Sequence, residues 1–379
     1  MDLFSWRPAP IRSRNARALV IVAVCALLIS VWVLTRSGEH GSPRDAVRGA
    51  ELFRTKFTPE QGLGPLFNKQ ACSACHAEPA VGGMGPNGLA TVLRVGRLTD
   101  AGFDPMFGEH RLEAHAHTIS EKGVACDRSA GIPAGANVTS VRNTPPLFGS
   151  GLINAIPDDV IRAGAVAKSD GVRGRPNLVR GPDGHQDVGR FGWKADTPTL
   201  ELFVAEAFRT ELGVTSPLAP AGALPIGTSR CPGESSAPEI DREDVRAVVA
   251  FVAGLPAPQP RASHRAGEMV FKETGCAACH VPALQAGTTD VPLYSDLLLH
   301  NMGPGLDDAV VQESAAGRDW RTTPLWGLSA RTRFLHDGRA DSLRGAILAH
   351  GGEAAAAQQR FRSLSNDQLR SLLKFLRTL

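Results

Sequence analysis

The sequence holds a single tyrosine, only 6% aromatic residues, and no excess of charge of either sign, with 41 basic against 38 acidic residues. That balance excludes a general nucleic-acid-binding surface, which needs a strong basic excess. With 42% hydrophobic and 21% charged residues, a wholly disordered chain is also excluded. The 40 glycines and 27 prolines follow no Gly-X-Y period, which excludes collagen and leaves long connections with many turns. A length of 379 residues suits two or three domains of about 150 residues each.

Long hydrophobic runs are scarce. The one that stands out, Ala18–Thr35, carries no charge and approaches the roughly 20 residues needed to cross a bilayer. Arg7, Arg12, Arg14 and Arg17 precede it, and Arg36 and Glu39 follow. The pattern predicts a cytoplasmic segment over 1–17, a transmembrane anchor over 18–35, and a single-pass protein of the bacterial inner membrane with its bulk in the periplasm. No small-x-small site closes the run at Val33–Arg36, which favours an uncleaved anchor over a signal peptide.

Seven cysteines are present, and four of them form two C-x-x-C-H strings. These are Cys72-Ser73-Ala74-Cys75-His76 and Cys276-Ala277-Ala278-Cys279-His280. The string is the attachment signature of c-type haem. Two thiols add across the two vinyl groups of one haem, and the histidine after the second thiol reaches the iron. Two such strings predict two covalently bound haems, with His76 and His280 as proximal iron ligands. Cys25 lies inside the apolar run and has no evident chemistry. Cys126 and Cys231 remain, and two spare cysteines outside the membrane predict a Cys126–Cys231 disulfide.

The two halves repeat each other. Arg48-Gly49-Ala50-Glu51-Leu52-Phe53 precedes the first haem string, and Arg265-Ala266-Gly267-Glu268-Met269-Val270-Phe271 precedes the second. Downstream, Arg142-Asn143-Thr144-Pro145 is echoed by Arg321-Thr322-Thr323-Pro324. Asp241–Leu255 reads as a helix capped by Asp241, and the proline-rich Pro256–Pro260 reads as a linker. Ser365 and Gln368 form a capping box for a final helix with a leucine stripe. The expected architecture is therefore all-α with long irregular loops. It comprises two tandem cytochrome c-like domains, over 46–255 and 261–379, behind the N-terminal transmembrane helix. The long stretches Gly82–Pro146 and Gly164–Pro238 read as loops. His110, His115 and His117 read as a solvated loop rather than a metal site, and Trp193 reads as packing.

Several further stretches carry a family resemblance. They are Gly64-Pro65-Leu66-Phe67-Asn68, Gly149–Pro157, Gly189-Arg190-Phe191-Gly192-Trp193-Lys194-Ala195, Tyr294–Gly303, and Leu335-His336-Asp337-Gly338-Arg339-Ala340 through His350–Ala354. With the haem strings, they make the chain resemble the bacterial di-haem c-type oxidoreductases, thiol-oxidoreductase relatives of the di-haem cytochrome c peroxidases. The resemblance spans about Arg48–Leu379. It implies a haem-dependent oxidoreductase with electron entry at a six-coordinate second haem and substrate redox chemistry at the first. A small periplasmic cytochrome or copper protein would be the electron donor or acceptor. The alternatives are a non-catalytic electron-transfer cytochrome and a peroxidase of the cytochrome c type.

The same resemblance implies His350 as the distal ligand of the second haem, with Met302 as the alternative, and leaves His336 as a turn histidine. At the first haem it implies an open or water-bound position, with Arg142 and Asn154 in the pocket. The family commonly carries Glu where Asn154 stands, and an amide does not titrate. Met84 is the nearest soft donor to the first haem string and reads as a loop cap over the haem edge. A calcium ion lies between the haem domains in relatives, but no acidic loop in this sequence matches it.

Overall fold

Ser42 caps the first described helix with a capping box: its hydroxyl accepts from Asp45 N at 3.3 Å, and Asp45 Oδ2 accepts from Ser42 N at 2.6 Å. With Pro43 in the first turn, this starts helix α1, Pro43–Arg54. The structure is a computed structural model and describes residues 41–64, 66–106, 117–119, 122–123, 132, 134–180, 184–220, 237–261 and 263–379. Ser42–Leu379 forms one unit. The segment Ala18–Thr35, the histidines His110 and His115, the His117 side chain, and Cys126 and Cys231 lie outside the described residues.

The expectation of an all-α fold is corrected. Gly82–Pro146, read as loop, contains an antiparallel four-stranded sheet: β1 Thr91–Thr99, β2 Gly102–Asp104, β3 His117–Ile119 and β4 Val138–Asn143. β1 pairs with all three others. The physical reason is alternation. In β4, Val138, Ser140 and Arg142 are buried while Thr139 and Val141 are exposed, the period-2 pattern of a sheet with one covered face. The polar residues on the inner face hid that pattern in the sequence. The placement as a single-pass inner-membrane protein is corrected as well. Among the described residues no helix is long and apolar enough to cross a membrane, and the expected anchor falls outside them.

After the sheet come the short helices α2 Ser150–Asn154 and α3 Asp158–Ala163, then α4 Leu200–Ala207, which continues into a π-helical turn at Phe208–Leu212. α5 Arg242–Ala253 is capped by Asp241, whose carboxylate accepts from Asp244 N at 2.7 Å. α6 Arg265–Thr274 follows the proline-rich segment. A two-stranded ribbon, β5 Leu299–Asn301 with β6 Asp319–Arg321, precedes α7 Leu343–Leu348, α8 Ala355–Arg362 and α9 Asn366–Leu376. The capping box expected at Ser365 and Gln368 is present.

The repeat seen in the sequence is a repeated helix crossing. α1 meets α5 at Gly49, where a Cβ would lie 1.8 Å from Ala247 O. α6 meets α9 at Gly267, where a Cβ would lie 2.1 Å from Ser371 O. The two glycines hold matching places, each four residues before a phenylalanine that is 2% exposed, Phe53 or Phe271. Only a residue without a side chain lets the backbones approach this closely. Gly49→Ala is therefore expected to cost about 3 kcal/mol, the upper part of the range for overpacking a core. Gly254→Ala, whose Cβ meets nothing closer than 3.4 Å, is expected to be near neutral. The shift of the urea midpoint in the two variants checks this.

Two main cores result. One runs from Phe53 and Phe57 through Ile161, Leu200, Val248 and Leu298 to Trp326. The other joins Val270 and Phe271 to Phe361, Leu372 and Phe375.

Candidate active site and cofactor cavities

Each C-x-x-C-H string lies on a tight 3-10 turn, Cys72–Ala74 or Cys276–Ala278. Each opens on a cavity. The first has a volume of about 180 Å³ and is lined by Cys72, Cys75, His76, Phe53, Val248 and Val252, among others. The second has a volume of about 230 Å³ and is lined by Cys276, Cys279, His280 and Phe271, among others. All four thiols are free of disulfide bonds. Burial pushes the Cys72 and Cys276 thiols up to about 12.

Three histidines lining the cavities are oriented in the same way. His76 Nδ1 is bonded to Gly83 O at 3.1 Å, His280 Nδ1 to Tyr294 O at 2.9 Å, and His350 Nδ1 to Ala346 O at 2.9 Å. In each case a backbone carbonyl accepts a hydrogen bond from Nδ1–H, which fixes the tautomer and leaves the Nε2 lone pair able to bind a metal. Burial lowers the pKa of His76 and of His280 to about 4 and also lowers that of His350, so all three rings are neutral at pH 7.

The cavities also hold orphaned donors. Arg142 Nη1 and Arg321 Nη1 are buried without a hydrogen-bond partner among the described residues. Arg142 lines the first cavity and Arg321 the second. They are the repeat-related arginines of the two R-x-T-P segments, at the ends of β4 and β6. Burial brings both down to about 10, which leaves them charged at pH 7. A buried guanidinium N–H without a partner is costly, and a haem propionate is an anion that would satisfy it. Thiols, neutral histidines and waiting cations together fit a c-type haem in each cavity.

The cavities differ in one respect. The second brings together His280 and His350, and a charge on His350 would disfavour protonation of His280. Met302 lines the same cavity. His300 is held instead by carboxylates, through Nδ1 to Glu353 at 2.8 Å and through Nε2 to Asp296 at 3.1 Å. His336 is buried and stacks on Trp320 with ring centroids 3.7 Å apart. Among the described residues, the first cavity has no histidine besides His76 and no methionine. Met84 lines the second cavity, not the first.

Arg142 lines the first cavity, its guanidinium paired with Asp308. Asn154 lines neither cavity. Its amide oxygen accepts from Leu200 N at 2.8 Å and so fixes the start of α4.

A carboxyl missed in the sequence reading does line the first cavity. Glu211 projects from the π-helical turn that ends α4. Asn68 Nδ2 donates to its Oε2 and Thr210 Oγ1 to its Oε1 at 3.4 Å. Burial raises its pKa above the usual carboxylate range. The one available signal was its place three residues after the largely apolar stretch Leu200–Phe208 and two before Gly213.

Asn143, Thr144, Pro145 and Trp193 line both cavities, so they form a shared wall. The Trp193 indole N–H donates to Asn143 O at 2.8 Å, and its carbonyl accepts from Arg321 N at 3.0 Å.

Several solved proteins align with this chain at low identity and with TM-scores below 0.5. Hydrazine synthase of Kuenenia stuttgartiensis shares 14% identity, with a TM-score of 0.43 over 100% of this chain and 97% of that one. A MauG-like protein associated with microbial copper homeostasis shares 15%, with a TM-score of 0.45 over 91% of each chain. The diheme peroxidase BthA of Burkholderia thailandensis shares 16%, with a TM-score of 0.45 over 91% of this chain and 88% of that one. No curated protein matches the sequence. The family model described as "Di-haem oxidoreductase, putative peroxidase" matches residues 135–379, well over half of the chain. The chain belongs to the di-haem oxidoreductase family and is a haem-dependent oxidoreductase with two covalently bound c-type haems.

Proposed function

We propose that the two haems divide the work, and the observation that carries this is the unequal supply of ligands in the two cavities. In this reading Cys276, Cys279 and His280 bind the second haem, with His350 as its distal ligand in preference to Met302. The preference rests on the His350 ring, which is oriented by its Nδ1 hydrogen bond to Ala346 O. Cys72, Cys75 and His76 would bind the first haem, in a cavity that among the described residues has no second histidine and no methionine and so has room for a substrate. The haems would supply one-electron redox chemistry.

The substrate we infer is a peroxide, reduced to water with two electrons from a redox partner and two protons from solvent. Arg142 holds a positive charge at the cavity wall. Glu211, rather than Asn154, moves the proton: it accepts one from the inner peroxide oxygen and returns it to the outer one. The O–O bond then breaks with water, not hydroxide, as the leaving group. Trp193, in the wall common to both cavities, is the group best placed to carry electrons between them. In this reading the two cavities mark two haem lobes, over 46–255 and 261–379, on one continuous fold.

Electron paramagnetic resonance of the oxidised holoprotein tests the division. One high-spin and one low-spin signal are expected. His350→Ala is expected to convert the low-spin signal to high-spin and to lower turnover at least about 10-fold. Two low-spin signals in the wild-type protein, resting and half-reduced, would favour the electron-transfer cytochrome instead.

A further inference from the structure

Lys194 is the most deeply buried charge in the molecule among the described residues, with 0% of its surface exposed. Its ammonium donates to three backbone carbonyls, Ala316 O at 2.7 Å, Gly317 O at 3.1 Å and Asp319 O at 3.2 Å. Asp308 Oδ1 lies 3.2 Å away. The nitrogen also sits 4.2 Å from the centroid of the Trp320 ring, the position of a cation on an aromatic face.

A lysine ammonium has three N–H groups. Here four oxygens and an aromatic face surround it, more partners than it has protons. That is the coordination of a cation, set by charge and size, rather than a set of individual hydrogen bonds. The distances of 2.7–3.2 Å suit an ammonium-sized monovalent ion. They are too long for calcium, whose oxygens sit at about 2.3–2.6 Å. The oxygens come from one loop, Asp308–Asp319, folded back on itself. A Cβ at Gly317 would come within 2.2 Å of Asp307 Oδ1 and 2.6 Å of Ala309 N.

We propose that the Asp308–Asp319 loop is a monovalent-cation site filled in cis by Lys194, and that a chain without the ammonium takes up a free potassium or ammonium-type ion there. The tethered cation has two consequences. It anchors the residue next to Trp193, in the wall between the cavities. It also holds Asp308, whose Oδ2 accepts from Ser140 Oγ at 2.7 Å and pairs with Arg142. Lys194 is thus a positioning residue for Arg142. The cation site stands without any haem assignment, whereas the positioning role rests on the reading of the first cavity given above.

The test uses the full holoprotein in chloride salts of potassium, methylammonium and choline at matched ionic strength. In choline, Lys194→Ala is expected to melt about 5–10 °C below wild type, as fits a buried charge cage left without its partner. Potassium or methylammonium is expected to restore at least half of that loss. Lys194→Met, which keeps an uncharged chain of similar length in the same place, is expected to stay low in all three salts. Equal behaviour of Lys194→Ala in the three salts overturns the proposal. Wild type is expected to melt at one temperature in all of them. A gain specific to potassium in wild type would show that Lys194 does not fill the site, and that measurement decides the matter even if neither variant folds. The positioning role has its own readout: the reduction potential of the first haem shifts in Lys194→Ala and returns with potassium. A melting temperature that recovers with no shift in potential would retain the cation site and remove the link to Arg142.

Discussion

Exchange of both Cys72 and Cys75 for alanine is expected to halve the covalent haem content and to abolish turnover, while the low-spin signal of the remaining haem persists. The argument rests on the division of labour between the cavities. The first offers one histidine, a buried arginine with an unpaired N–H, and a carboxyl with a raised pKa. The second offers two histidines aimed by backbone carbonyls. If substrate reacts only where a coordination position is open, removing the first haem removes the reaction and leaves the relay. The mirror variant, with Cys276 and Cys279 both replaced, should lose the low-spin signal and all turnover driven by a protein donor. It should still bind a small anion such as cyanide at the remaining high-spin iron. Optical haem counting and steady-state assays are enough to read both variants. Peroxide turnover that survives without Cys72 and Cys75 would place the chemistry at the other haem.

The second large effect is expected at Glu211. Replacing it with glutamine removes the titrating group and keeps its shape, and is expected to lower kcat/KM for peroxide by about 10²–10⁴-fold. The sign of the pH dependence follows from the shift. Burial raises the Glu211 pKa above the ordinary carboxylate range, so its base form is lost as pH falls through that raised value. Wild-type activity should therefore fall on the acid side at a higher pH than an exposed glutamate would give. Glu211→Gln should be slow and lack that acid limb, and Glu211→Asp should recover part of the rate with the limb restored. Stability runs in the opposite sense: a carboxyl whose pKa is raised in the folded state favours the protonated form. The folded chain gives up that contribution as pH rises through the folded value. An acid limb unchanged in Glu211→Gln would assign it to another group, and Asp196, in the same cavity, would be the next to test.

How much of this was legible in the sequence depends on the distance over which each signal acts. The haem strings are local, because two thiols and a histidine must meet one macrocycle within five residues. They are found where expected, each opening on its own cavity. The repeats were legible for the same reason, and the structure gives them physical content. Gly49 and Gly267 are the contact points of two helix crossings. Arg142 and Arg321 are the two buried guanidinium groups with an unpaired N–H facing the cavities. The sheet was not legible, since Arg94, Arg97, Ser140 and Arg142 interrupt the apolar alternation that marks a strand. Ser140 and Arg142 are buried in an ion-pair network with Asp308, Arg94 lines the first cavity, and Arg97 pairs with Asp104 at the half-exposed edge of the sheet. Asn154 was misplaced because family position suggested a pocket, whereas the amide caps a helix start through Leu200 N. Met84 is near the first haem string in sequence but turns toward the second cavity. Glu211 is far from the first haem string in sequence and close to Cys72 in space, where its charge helps to raise the thiol pKa. Only the folded chain shows that.

The placement of the attachment thiols bears on the order of events in making this protein. Cys72 and Cys276 are half-buried at the edges of the two cavities, and burial raises both thiols. The thiolate is the nucleophile toward a haem vinyl group, so attachment is expected to run faster on the open chain than on the folded one. In that order each haem is tethered to its own half first, as a piece of core around which the helices then pack, and packing afterwards sets the distance between the two.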